Sequence, residues 1–141
     1  VRQISFWAVG GVVICAAGAA LAESPASVTK PVKAVSSYER CLASPTGRTT
    51  AGMIGCANAE LQVQDGRLNT AYQAAILRLE RPRQKAALQK AQRAWIAFRD
   101  ADCAAYVDED WGSMARVEAN VCVLERTRER AAELETFRKG Y

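Results

Sequence analysis

From Ile54 onward, apolar residues recur at intervals of three and four along three long runs. That spacing is the signature of a helix with one buried face. The first stripe is Ile54, Ala57, Leu61, Leu68, Tyr72, Ile76 and Leu79. The second is Leu88, Ala91, Trp95, Phe98, Cys103 and Tyr106 or Ala105, and the third is Met114, Val117, Val121, Leu124, Ala131 and Leu134. No stretch alternates as a half-buried strand does, and neither repeats nor low-complexity blocks interrupt the pattern. The expectation is an all-α fold. The first helix should begin near Thr50 as N-cap and end at Arg81-Pro82, since proline disfavours helix before it and suits the first turn after it. The second should run to about Tyr106. Asp108-Glu109-Asp110-Trp111-Gly112 reads as a loop and Ser113 as the N-cap of the third, with Gly140 past its end. Tight connections make consecutive helices antiparallel neighbours, so an antiparallel three-helix assembly is expected. Gly66 inside the first helix costs up to ~1 kcal/mol relative to alanine and suggests a close helix approach.

The region before these helices reads differently. Arg2 precedes a run over residues 4–20 that is apolar or small, and the run closes on Ala20-Leu21-Ala22. That is the layout of a secretory signal peptide cut after Ala22, with no stable membrane insertion after cleavage. Residues 23–35, with Pro25 and Pro31, read as a flexible tether, and residues 36–141 as the folded domain. Export to the periplasm would leave four cysteines, Cys41, Cys56, Cys103 and Cys122, because Cys15 departs with the signal. An even count in an exported chain of modest core reads as two disulfides.

Four cysteines allow three pairings. Helix rise leaves an axial offset of roughly 9 Å for Cys103–Cys122 and ~8 Å for Cys56–Cys103, so geometry excludes neither. The local solution, Cys103–Cys122 with Cys41–Cys56, is the expectation adopted; it clips an N-terminal segment onto the first helix.

Several chemistries are disfavoured. The chain has no histidine, which removes the commonest general base, and with no CxxC pair a metal site is not expected. Neither a GxSxG elbow nor a phosphate-cradling glycine loop appears, and nothing asks for a cofactor. Net charge is +4, or about +3 once Arg2 is gone, too mild to argue for nucleic acid. The signs are segregated: seven Lys or Arg fall between Arg78 and Arg99 with one acid, Glu80, and five acids follow from Asp100 to Asp110 with no base. Asp100, Asp102, Asp108, Glu109 and Asp110 are the carboxylates available for acid–base work, but neighbours in a short loop do not by themselves make a cleft. No catalytic residue is assigned.

The densest segment is Gln92 to Asp100. Trp95 and Phe98 are expected in the core. Gln92, Trp95, Arg99 and Asp102 recur at helical spacing, and Arg99 and Asp102 stand at i, i+3 for pairing. An edge of this kind facing another helix makes Arg99 a buried structural ion pair or a ligand contact.

Taken in order, Leu68-Asn69-x-x-Tyr72, Gln92-Arg93-Ala94-Trp95-Ile96-x-Phe98-Arg99-Asp100-x-x-Cys103, Gly112-Ser113 and Cys122-x4-Thr127-x2-Arg130-x3-Leu134 resemble the LprI-type lysozyme inhibitor family across most of residues 41–134. Many members carry two glycines before the serine, whereas Trp111 stands at the earlier position here. The resemblance implies an exported bacterial protein that inhibits lysozyme or a related peptidoglycan-cleaving enzyme by binding it. Many lysozymes are basic and hold a carboxylate-lined cleft, which a rigid loop can fill without chemistry of its own. Asp108, Glu109, Asp110 and Trp111 offer charge and an aromatic anchor for such a protein partner, with the Arg99 edge as second candidate. The competing expectations are a toxin-immunity protein, an envelope structural or stress protein associating through its helices, and last an enzyme.

Overall fold

The computed structural model describes residues 35–139, except for the side chain of Glu109. The expected signal peptide and nearly all of the tether lie outside the described residues, as does Gly140. Within them the fold is all-helical: α1 spans Ser37–Ala43, α2 Thr50–Leu77, α3 Pro82–Ala104 and α4 Gly112–Thr136. Short 3-10 turns occupy Thr46–Arg48 and Glu109–Trp111. Among the described residues no helix is long and apolar enough to cross a membrane.

Local chemistry sets the boundaries. Ser36 and Glu39 form a reciprocal capping box at the start of α1. Gly47 packs where a Cβ would collide with the Cys41 carbonyl, so the turn after α1 requires glycine. The cap of α2 is Thr49, one residue before the expected Thr50; its Oγ1 accepts from Gly52 N at 3.0 Å. At the next junction Arg81 is extended, as a residue before proline must be, and Pro82 opens α3. At α4 the expected serine cap is not used. Gly112 takes φ +66°, a conformation favouring glycine, and the helix starts there, so Ser113 lies already inside it.

The most extensive interface is between α2 and α4, which are not consecutive. Glu60 meets Arg128 and Arg67 meets Glu135 at the same sequence offset, so these two helices run parallel. α3 runs opposite to α4, through Gln92–Arg130, Arg99–Thr127 and Cys103–Cys122. It hardly approaches the α2 backbone. Direction therefore alternates from one long helix to the next, but the closest packing joins α2 to α4, a parallel pair, and not consecutive helices. The reason lies in residue size. Ala57, Ala71 and Ala75 on α2 and Ala115 and Ala131 on α4 are buried, and small residues at a contact let helix axes come close. Leu68, Leu79, Leu88 and Leu134 fill the space around Ala71, Ala75 and Ala131, with Tyr72, Ile76, Trp95 and Phe137 at the edge. Burying each such leucine stabilises by about 1.5–3 kcal/mol. Gly66 marks no close approach, because a Cβ there would meet open space.

Arg67 donates from Nε and Nη2 to the two carboxylate oxygens of Glu135, each at 2.6 Å. These hydrogen bonds hold the Glu135 carboxyl below its usual range, and the same contact raises Arg67. A carboxyl whose pKa is depressed on folding stabilises the fold above its unfolded pKa, and that contribution is lost as pH falls through the folded value. Glu135→Gln is thus expected to lower the thermal midpoint at neutral pH. The gap from the parent protein should close on acidification, as melts followed by circular dichroism across the carboxylate range will show.

Candidate functional site

The structure pairs Cys41 with Cys56 and Cys103 with Cys122, with Cα separations of 5.8 and 5.5 Å. The first bridge holds α1 on α2. The second sits where α3 ends and ties that end to the middle of α4, so the connection between them departs from a covalently fixed point.

Within this connection Asp108 Oδ1 accepts from Asp110 N at 2.8 Å, a side-chain cap that starts the 3-10 turn. The expected loop is therefore ordered by its own sequence. Trp111 ends the turn with 65% of its surface exposed, and its side chain caps nothing. Tyr106, Val107 and Met114 beside it are also exposed. Met114 was expected in the core; it lies one position off the buried seam, which Ala115 occupies. A cavity of about 340 Å³ under the turn is lined by Val107, Asp108, Gly112, Ser113 and Arg116. The result is an aromatic and aliphatic knob carrying the Asp108 and Asp110 carboxylates.

The second candidate, Arg99, sits elsewhere and does something else. Its side chain is 15% exposed. It donates to Asp100 Oδ1 from Nε at 2.9 Å and to Thr127 Oγ1 from Nη1 at 3.1 Å. Asp65 lies 3.9 Å away. Its guanidinium lies 5.3 Å from the Trp95 ring centroid, and Arg130 lies 5.9 Å from the same centroid. Arg130 in turn donates to Gln92 Oε1 and Glu133. The expected Arg99–Asp102 pair does not form; Asp102 instead accepts from Arg126 of α4 at 3.0 Å. Helix geometry turns Asp102 toward α4, while Asp100 lies on the solvent side of Arg99.

Leu88, Gln92, Trp95, Arg99 and Cys103 thus form the edge of α3 that faces the other helices. Phe98 lies off this edge and is 55% exposed, not in the core. The apolar stripe was traced through Ala91 and Phe98, whereas the edge in use passes through polar Gln92 and Arg99, whose stems and hydrogen bonds tolerate burial. Thr127, named in the motif but given no role there, is fully buried: its hydroxyl donates to Val123 O at 2.7 Å while receiving Arg99. Thr127→Val leaves Arg99 short of an acceptor at a site water reaches poorly. Its expected cost is about 1–3 kcal/mol in urea unfolding, with any partner binding by the knob unchanged.

Asp102 also lies close to the sulfurs of Cys103 and Cys122, but both sulfurs are spent in the disulfide and Asp102 is held by Arg126. Asp100 and Asp102 are engaged by arginines of two different helices and do not face each other across a cleft.

The family described as "Lysozyme inhibitor LprI" matches residues 41–134. An uncharacterized protein of Rhizobium meliloti (strain 1021) is 33% identical over 92 residues, which cover 56% of this chain and 66% of that protein. The chain thus spans just under two thirds of that relative's length. No solved structure matches. Gln92, Trp95, Arg99, Thr127 and Arg130, which carry the family resemblance, are the polar network joining α3 to α4, and the exposed knob is a separate surface.

Proposed function

Because this chain belongs to the LprI lysozyme inhibitor family, we propose that it binds and blocks a lysozyme or a related peptidoglycan-cleaving enzyme, and that the α3–α4 knob is the surface that does so. The observation that carries the reading is Trp111: a large aromatic, 65% exposed, on a turn that Asp108 caps and that follows an α3 end tied to α4 by a disulfide. Presenting an aromatic on a rigid platform lowers the ordering cost of binding, and tryptophan is favoured among residues that dominate interface energy. Asp108 and Asp110 place negative charge beside it, which suits a basic enzyme locally even though the chain as a whole is net positive. No step of chemistry is required of the inhibitor.

Two disulfides suit an oxidising compartment, and the proposed site of action is the periplasm, reached through a cleaved signal peptide. The test is a lysis assay with the disulfide-intact protein against c-, g- and i-type lysozymes. Dose-dependent slowing with one class supports the proposal. Undiminished lysis in all three at molar excess removes it and favours an immunity or envelope-structural role.

A further inference from the structure

Because α3 is held to α4 and hardly approaches the α2 backbone, a groove runs between α2 and α3. Two adjoining cavities, of about 540 and 420 Å³, share Tyr72 and Gln89 in their lining. Asn69, Tyr72 and Gln73 face it from α2, and Lys85, Gln89 and Arg93 from α3. Among the described residues none of these six side chains makes a hydrogen bond or ion pair within the protein. Leu68 and Ile76 contribute apolar surface; Arg99 is a third cation in the lining, held by Asp100 and Thr127, and the lining carboxylates are Asp65, 3.9 Å from Arg99, and Glu80.

The lining selects a ligand class. Carboxamides offer a donor and an acceptor side by side, the complement of vicinal hydroxyls and of acetamido groups. Tyr72 adds a ring that can pack on a sugar face. The cations are too few and too well balanced by acids for a nucleic-acid backbone, and the walls are too polar for an amphipathic helix. Lys85, Gln89 and Arg93 are spaced by four residues, so they step along the groove at ~6 Å intervals and span ~12 Å. That length accommodates a short linear oligosaccharide rather than a single small molecule.

We propose that the α2–α3 groove binds an acetamido-sugar oligosaccharide, with the carboxamides of Asn69, Gln73 and Gln89 reading its hydroxyl and acetamido groups. The site is distinct from the α3–α4 knob and stands whether or not the knob binds a lysozyme. Chitotetraose titrated into the disulfide-intact protein, followed by the amide resonances, tests it. Saturable shifts are expected at residues 69–73 and 85–93. Gln73→Ala/Gln89→Ala, two exposed positions, should weaken binding about tenfold, the effect of removing one or two net hydrogen bonds. Cellotetraose, which lacks acetamido groups, should bind more weakly. The proposal is overturned by an absence of saturable shifts at millimolar ligand, by shifts confined to another surface, by equal affinity for cellotetraose, or by a double variant that folds and binds like the parent.

Discussion

Replacing Cys103 and Cys122 together by serine is expected to destabilise the protein by about 3 kcal/mol, the chain-entropy value for a loop of this size, and to cost the knob its partner. The bridge spans 19 residues of sequence and lies at the end of α3 from which the knob departs. α3 has few other holds. Its contacts with α4 are the Arg99–Thr127, Gln92–Arg130 and Asp102–Arg126 hydrogen bonds, partly open to solvent, and Leu88 is the one aliphatic residue it places in the main cluster. Without the bridge, α3 should fray from its C-terminal end. Urea unfolding reads the stability change, and inhibition of a responsive lysozyme reads the consequence. The matching Cys41→Ser/Cys56→Ser variant should also lose stability but keep inhibition, since that bridge joins α1 to α2 and leaves the end of α3 tied to α4. Equal loss of inhibition in both variants would mean that global stability, not the shape of the knob, sets activity.

Trp111→Ala is expected to weaken binding and to leave folding almost unchanged. The side chain is mostly exposed and caps nothing, so removing it takes little from the core. A hot-spot aromatic is worth about 2 kcal/mol or more at an interface, roughly a thirtyfold weakening. Titration calorimetry with a lysozyme that binds the parent protein checks the affinity, and a thermal melt checks the fold. Asp108→Asn/Asp110→Asn should act differently. The amide oxygen at position 108 can still cap the turn, while association slows and loses some of its salt dependence.

The all-helical fold was legible because three stripes at intervals of three and four leave no alternative and Pro82 punctuates them; the threonine cap was placed at Thr50, one residue late. The pairing of helices was not legible. Connection length argued for α2 against α3, whereas the alanines at 57, 71, 75, 115 and 131 bring α2 against α4. Alanine is a weak hydropathy signal, and its value lies in being small. The same bias toward bulky apolar residues placed Phe98 and Met114 inside and gave Thr127 no place in the core, although a buried hydroxyl that both donates and accepts fits a core as well as a methyl does. Gln92, Trp95, Arg99 and Asp102 were visible as a helical edge, but which acid Arg99 would take depended on the direction of α4. For the candidate site, composition marked the acidic turn and its tryptophan. It could not show that Asp108 caps the turn or that Tyr106, Val107 and Met114 widen the exposed surface around Trp111.

Hydrogen exchange on the complex with an inhibited lysozyme tests the central claim most directly, because it reads the contact surface without any substitution. Slowed exchange is predicted at residues 106–116, around Trp111, with the α2–α3 groove unchanged. Protection confined to the groove or to α1, with the turn exchanging as in the free protein, would contradict the account.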